Sequence, residues 1–255
     1  MNRMKWFAIG AVDLLLAAML IIHPRQEILY LLIFTQIQLL INLNAYRIRD
    51  SAFKGANWVR RSVYFLPYLT AYCFFLGPLL EKENLIVSFS LALLAGILLL
   101  IPRFGEIKPF YNKDLALFFP PLSLNTACLE VYSYLCSAVL QELYYKAFVI
   151  ALLMPLIGAP AAVIISAVLF VFDHLAHARS STFKLPDYLA QFAMGLCSGL
   201  LYVYSGSVWI AVLVHFTFNA PLAFSYFYRY GVTMRMNIKV EYKSEDKRGN
   251  KAKVR

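Results

Sequence analysis

Residues 188–228 read YLAQFAMGLCSGLLYVYSGSVWIAVLVHFTFNAPLAFSYFY, 41 positions without an Asp, Glu, Lys or Arg. An α-helix needs about 20 residues to cross a bilayer core of roughly 30 Å. The stretch is too long for one span, and Ser205-Gly206-Ser207 divides it in two. Upstream, Ala147–Phe172 is also uncharged, and Pro155, Gly158 and Pro160 read as a tight turn inside it. Ile28–Tyr46, Ser62–Leu80 and Asn84–Pro102 are further uncharged windows of span length, and Phe7–Ile22 is broken only by Asp13. The pattern predicts helices over 6–22, 27–45, 62–81, 84–102, 126–153, 160–178, 188–205 and 207–228.

Composition agrees. Of 255 residues, 61% are hydrophobic and 15% charged, against roughly 45–50% and about 25% in a soluble domain. That excludes a disordered chain, a disulfide scaffold and an ordinary soluble enzyme. The expected fold class is an all-α polytopic membrane protein with about eight transmembrane helices. A four-helix region over 1–124 precedes a core over 125–228 and a basic tail over 229–255. The first helix has a basic start, but Asp13 interrupts it and no small-x-small cleavage site follows, so it reads as a retained span. The four cysteines all fall within predicted spans and read as small apolar residues.

Lysine and arginine orient the helices. With both termini inside, 21 basic residues fall on the inner side and only Arg25 and Lys82 on the outer side. This is a strong positive-inside bias, and it places both termini in the cytoplasm, in the plasma (inner) membrane if the source is bacterial. The net charge of +10 therefore does not imply nucleic acid. The tail from Arg229, with 9 basic and 3 acidic residues, is expected to meet the anionic inner leaflet or to stay solvated.

Ionisable groups inside lipid are costly to insert, so each needs a reason. Asp13 stands alone in the N-terminal half, whereas Glu130, Glu142, Lys146, Asp173, His174 and His215 cluster late in the chain. Glu142 and Lys146 are four apart, which suits an intrahelical ion pair that does no more than neutralise both. Asp173 reads as a residue facing the inner surface, and His177 as interfacial. His215 and Asn219 share a helix face and could form an interhelical clamp. Taken together, the groups permit peptide hydrolysis. Carboxylate and imidazole can take a proton from water, and a second imidazole with an amide can donate to the oxyanion. A proton-coupled carrier would use the same residue types.

Three stretches, Gln141-Glu142-x-x-x-Lys146, Phe170-x-x-x-His174 and His215-x-x-x-Asn219, resemble the signature of the CAAX prenyl protease and bacteriocin-processing (CPBP, or Abi) family of glutamate-type intramembrane proteases. That signature runs Glu-Glu-x-x-x-Arg, Phe-x-x-x-His, His-x-x-x-Asn. The resemblance covers roughly 125–222, and Gly195, Gly199 and Gly206 fall where the family packs helices closely. It implies that His174 helps activate water, that His215 and Asn219 donate to the oxyanion, and that Lys146 keeps the charge of the motif's arginine without its fork. It also implies a membrane-associated peptide or protein substrate: a prenylated tail, a leader or a sorting signal.

The first motif departs at Gln141, where the family usually has its base, and a carboxamide cannot accept that proton. Three readings stay open. Glu142 takes over after a helix rotation or local bulge, His174 acts alone with Gln141 holding the water, or the chain is an inactive binding, immunity or assembly relative. No cofactor is expected. Zinc on His174, His177 and His215 is a minority alternative. A helix entering the membrane at 126 would carry Glu142 about 24 Å deep, so the membrane portion is expected to begin nearer Val131.

Overall fold

The computed structural model describes residues 3–48, 53–74, 85–177 and 183–252. All regular structure among them is helical. The helices are α1 (Arg3–Ile22), α2 (Gln26–Asn44), α3 (Ala56–Phe74), α4 (Leu85–Leu100), α5 (Phe104–Ile107), α6 (Lys113–Phe118), α7 (Leu124–Cys136), α8 (Ala151–Ile157), α9 (Ala159–His177), α10 (Leu185–Ser205) and α11 (Val208–Ala252). Two π-helical segments, Ser137–Gln141 and Leu143–Ile150, join α7 to α8 in one helical run. The described part of each predicted span falls on one of the long runs, with 75–81, 84 and 178 lying outside the described residues. Four runs are long and apolar enough to cross a membrane: Gln26–Asn44, Leu85–Tyr111, Leu124–Ile157 and Val208–Met236. Ile9–Ile22 and Ala159–Leu175 are shorter apolar helices. The chain is thus an all-α polytopic membrane protein.

Helix α4 shows what makes a membrane helix. It buries Ser88, Ala92 and Gly96, a stripe of small residues every four positions, and turns Ile86, Leu94, Ile97 and Leu98 outward. In water this would be inside out. In lipid the large side chains lose nothing by facing outward, and small residues let backbones approach. A Cβ on Gly96 would stand 2.6 Å from Thr217 Cβ of α11.

The two predicted breaks are real and both rest on glycine. Gly206 (φ +68°) ends α10 in the left-handed conformation that favours glycine at helix C-termini, and Gly158 (φ +80°) ends α8 in an extended positive-φ conformation open to glycine. Gly206 serves as the C-cap of α10, and Gly195 packs closely, its Cβ position lying 3.3 Å from Ala167 of α9. Cys128, Cys136 and Cys197 are half-buried rather than fully buried. The side chains of Cys73 and His177 lie outside the described residues.

The chain forms two compact units. One comprises Met1–Leu99 and Leu135–Phe218, the other Leu100–Tyr134 and Asn219–Arg255. In the second, the stretch between the predicted helices 84–102 and 126–153 folds into short helices. Asn112 caps α6 by accepting from the Asp114 and Leu115 N–H groups at 2.8 and 3.1 Å. Within the same unit Arg229 donates to the Pro120 carbonyl at 2.7 Å and stacks over Phe119, and α11 continues as helix through the predicted tail to Ala252.

Candidate active site

The run from Leu124 to Ile157 carries the first group of polar residues. Its centre is π-helical, with Glu142 between the two segments. Such i→i+5 geometry is rare and is frequent at functional sites. A neighbouring side chain contributes here: Ser166 Oγ of α9 donates to the Tyr145 carbonyl at 2.7 Å, competing for an acceptor of the helix ladder.

Glu142, Lys146 and His215 meet inside the first unit. They expose 0%, 0% and 1% of their surface. His215 Nδ1 lies 2.8 Å from Glu142 Oε1, and Lys146 Nζ lies 3.9 Å from Glu142 Oε2. Nζ also donates to the Gly195 carbonyl at 3.1 Å and sits 5.8 Å above the Phe170 ring centre. Burying separate charges is costly unless each is paired, and this cluster pairs a carboxylate with an ammonium and an imidazole. One atom is left over. Glu142 Oε2 has no hydrogen-bond partner, because 3.9 Å is an ion-pair distance but too long for a hydrogen bond.

Phe170 organises the imidazoles. Its ring meets His215 edge-on at 5.6 Å and His174 at 4.6 Å. The Nδ1 of His174 bonds the Phe170 carbonyl at 2.9 Å, and its ring also packs near Phe183. The imidazole in direct contact with Glu142 is therefore His215. Asn219 is buried one turn beyond His215 on α11.

Gln141 and Asp173 form a second centre. Asp173, read from the sequence as a surface residue, is 2% exposed. Its Oδ1 accepts from Asn42 Nδ2 at 2.7 Å and Gln38 Nε2 at 3.3 Å. Its Oδ2 accepts from Tyr68 Oη at 2.6 Å and Gln141 Nε2 at 3.1 Å. Beside it lies a cavity of about 20 Å³ lined in part by Thr35, Gln38, Asn42, Tyr144 and Asp173, room for about one water. Two lining residues carry polar atoms without a partner in hydrogen-bond geometry, Gln38 Oε1 and Tyr144 Oη, although the Thr35 hydroxyl stands near the latter. Sequence reasoning missed this centre. The available signal was Gln38 and Asn42 at i, i+4 on one face of an apolar helix. Gln36, two residues away, serves α1 instead, donating to Asp13 at 2.6 Å.

Among the described residues, no three His, Cys, Asp or Glu side chains converge as a metal site would require. Fold and site together define an integral membrane protein that encloses an acid–imidazole–ammonium cluster between helices. Residues 123–221 match the model of the Rce1-like family, described as type II CAAX prenyl endopeptidase Rce1-like. The matched residues contain all three motif stretches. No curated protein and no solved structure matches the chain.

Proposed function

We propose that the protein is an intramembrane endopeptidase that hydrolyses a peptide bond of a membrane-associated substrate, with Glu142 as the group that takes the proton from water. The description of the matched family favours a prenylated C-terminal tail over a leader or sorting signal. The observation that carries the reading is the orphaned Glu142 Oε2. It is a fully buried carboxylate oxygen with no hydrogen bond, beside an ammonium at 3.9 Å. A water that reaches this oxygen when the bundle opens has the base and the cation it needs beside it.

In this scheme the water oxygen adds to the carbonyl carbon while its proton passes to Oε2. The new C–O bond leaves a tetrahedral oxyanion. His215 is held by Oε1 through Nδ1, so its Nε2 side is the one that turns to substrate. As an imidazolium it donates to the oxyanion. The C–N bond then breaks, and the proton on Glu142 leaves with the amine. Gln141 takes no proton, since its amide is engaged by Asp173 and Ser137. Lys146 supplies a cation 3.9 Å from Glu142 Oε2. His174 supports Phe170, on which His215 rests.

The cluster is enclosed, so water and substrate enter when the bundle opens. The lysine and arginine bias supports both termini in the cytoplasm, and the basic tail supports contact with the anionic leaflet. The test uses purified protein in detergent with internally quenched peptides of three kinds: a farnesylated tail, a leader and a sorting signal. Cleavage of one by the parent, lost in His215→Ala and Glu142→Gln, supports the reading. Cleavage surviving both substitutions, or no cleavage of any peptide, overturns it.

A further inference from the structure

The buried carboxylate of Asp173 has no part in the scheme above, yet four donors from three separate elements converge on it: Gln38 and Asn42 from α2, Tyr68 from α3, and Gln141. A carboxylate offers about four lone-pair sites, so these donors hold it as a fixed acceptor. One donor matters for chemistry. Gln141 closes the first π segment, and the next residue is Glu142. The Gln141 amide is held at both ends, with Nε2 on Asp173 and Oε1 accepting from Ser137 Oγ four residues earlier. π-helical geometry is rare and frequent at functional sites, and here its last residue is tied to a neighbouring element. The tie at Gln141 therefore sets the rotation of the backbone that delivers Glu142 to His215.

We infer that Asp173 is a positioning residue for the hydrolysis. It acts through Gln141 on Glu142, and the polar residues of α2 and α3 complete its socket. The inference rests on the reading of Glu142 as the reacting carboxylate. It gives the N-terminal helices a function, since Gln38, Asn42 and Tyr68 secure the residue that aims the site. It also explains the amide at position 141. A glutamate there would set two carboxylates at the 3.1 Å contact now made by Gln141 and Asp173, and two such groups cannot both ionise at that range. Carboxamide at 141 and carboxylate at 173 are one paired choice, and the pair is reversible. In the double variant Gln141→Glu/Asp173→Asn, acceptor and donor change sides while the contact survives.

Two readouts on parent, Gln141→Glu, Asp173→Asn and the double variant test this. The first is cleavage of the farnesylated quenched peptide. The second is the ring ¹⁵N signals of His215 in histidine-labelled protein in micelles, identified by their loss in His215→Ala. Misplacing a reacting group by about 1 Å costs on the order of 100-fold. Each single variant should therefore lose about 100-fold in kcat with KM within about twofold. Each should also shift the His215 signals from their parental positions. The double variant should recover kcat to within about tenfold of the parent and restore the signals. Single variants with parental kcat and parental His215 signals overturn the inference, as does a double variant no better than either single. If the parent cleaves nothing, the hydrolytic reading fails, and the His215 signals alone then decide whether Asp173 positions the Glu142–His215 contact.

Discussion

Replacing Glu142 with glutamine keeps the side chain's shape and removes its charge. Lys146 is then an ammonium with no exposed surface, bonded to one carbonyl and lacking its counter-ion. At 3.9 Å the lost attraction is about 4 kcal/mol with an effective dielectric of about 20. Stranding one member of a buried pair costs about 3–5 kcal/mol in measured cases, so the two figures agree. Glu142→Gln alone should lower the midpoint of thermal unfolding by on the order of 10 °C. Adding Lys146→Met removes the stranded charge and fills the same space, because a well-packed apolar group can replace a buried ion pair at little cost. Glu142→Gln/Lys146→Met should therefore unfold near the parental temperature and still cleave nothing. The assay is tryptophan fluorescence or a thiol-reactive dye in detergent, run beside peptide cleavage. A single variant as stable as the parent would refute the ion pair as the support of Lys146. A double variant that cleaves would refute Glu142 as the reacting group.

Other outcomes follow from single contacts. Gly96→Ala should destabilise by about 1–3 kcal/mol through overpacking, because its Cβ meets Thr217 at 2.6 Å; unchanged thermal unfolding would contradict the close packing of α4 on α11. Ser88→Ala should be neutral or stabilising by up to about 1 kcal/mol, since Ser88 Oγ is buried without a partner; a clear loss in the same melt would mean that the hydroxyl is bonded. His215→Ala should abolish cleavage, whereas His174→Ala, which removes packing on Phe170, should slow it by about tenfold; the reverse order in a rate assay would reassign the two imidazoles. Chelators such as EDTA and phenanthroline should leave the cleavage rate unchanged, and inhibition reversed by zinc would point to metal chemistry.

The helices were legible because lipid imposes a coarse rule on sequence. Uncharged windows of about 20 residues mark the spans, and Gly158 and Gly206 mark where the chain must turn. Helix ends and the short helices over 104–118 were not legible, since a stretch carrying Arg103, Lys108 and Lys113 reads the same whether it coils or folds. At the site, i, i+4 spacing placed Glu142 beside Lys146, a contact local to one helix. The distant partners followed no local rule. Glu142 meets His215 across 73 residues, and Asp173 meets Asn42 across 131. Which imidazole faces the carboxylate depends on the rotation of a π-helical run, and no pattern of apolar residues encodes it. Asp173 was misjudged because its partners sit in α2 and α3, on helices whose polar residues had no assigned purpose.

Hydrolysis by Glu142 leaves an isotopic record. The farnesylated peptide is incubated in ¹⁸O-enriched water with the parent protein or with Glu142→Gln, and the fragments are weighed by mass spectrometry. The expected result is one ¹⁸O in the newly formed carboxyl group with the parent, and no fragment above background with Glu142→Gln. Labelled fragment at a comparable rate from both proteins would show that the water is activated elsewhere and that the buried cluster is only a structural pair.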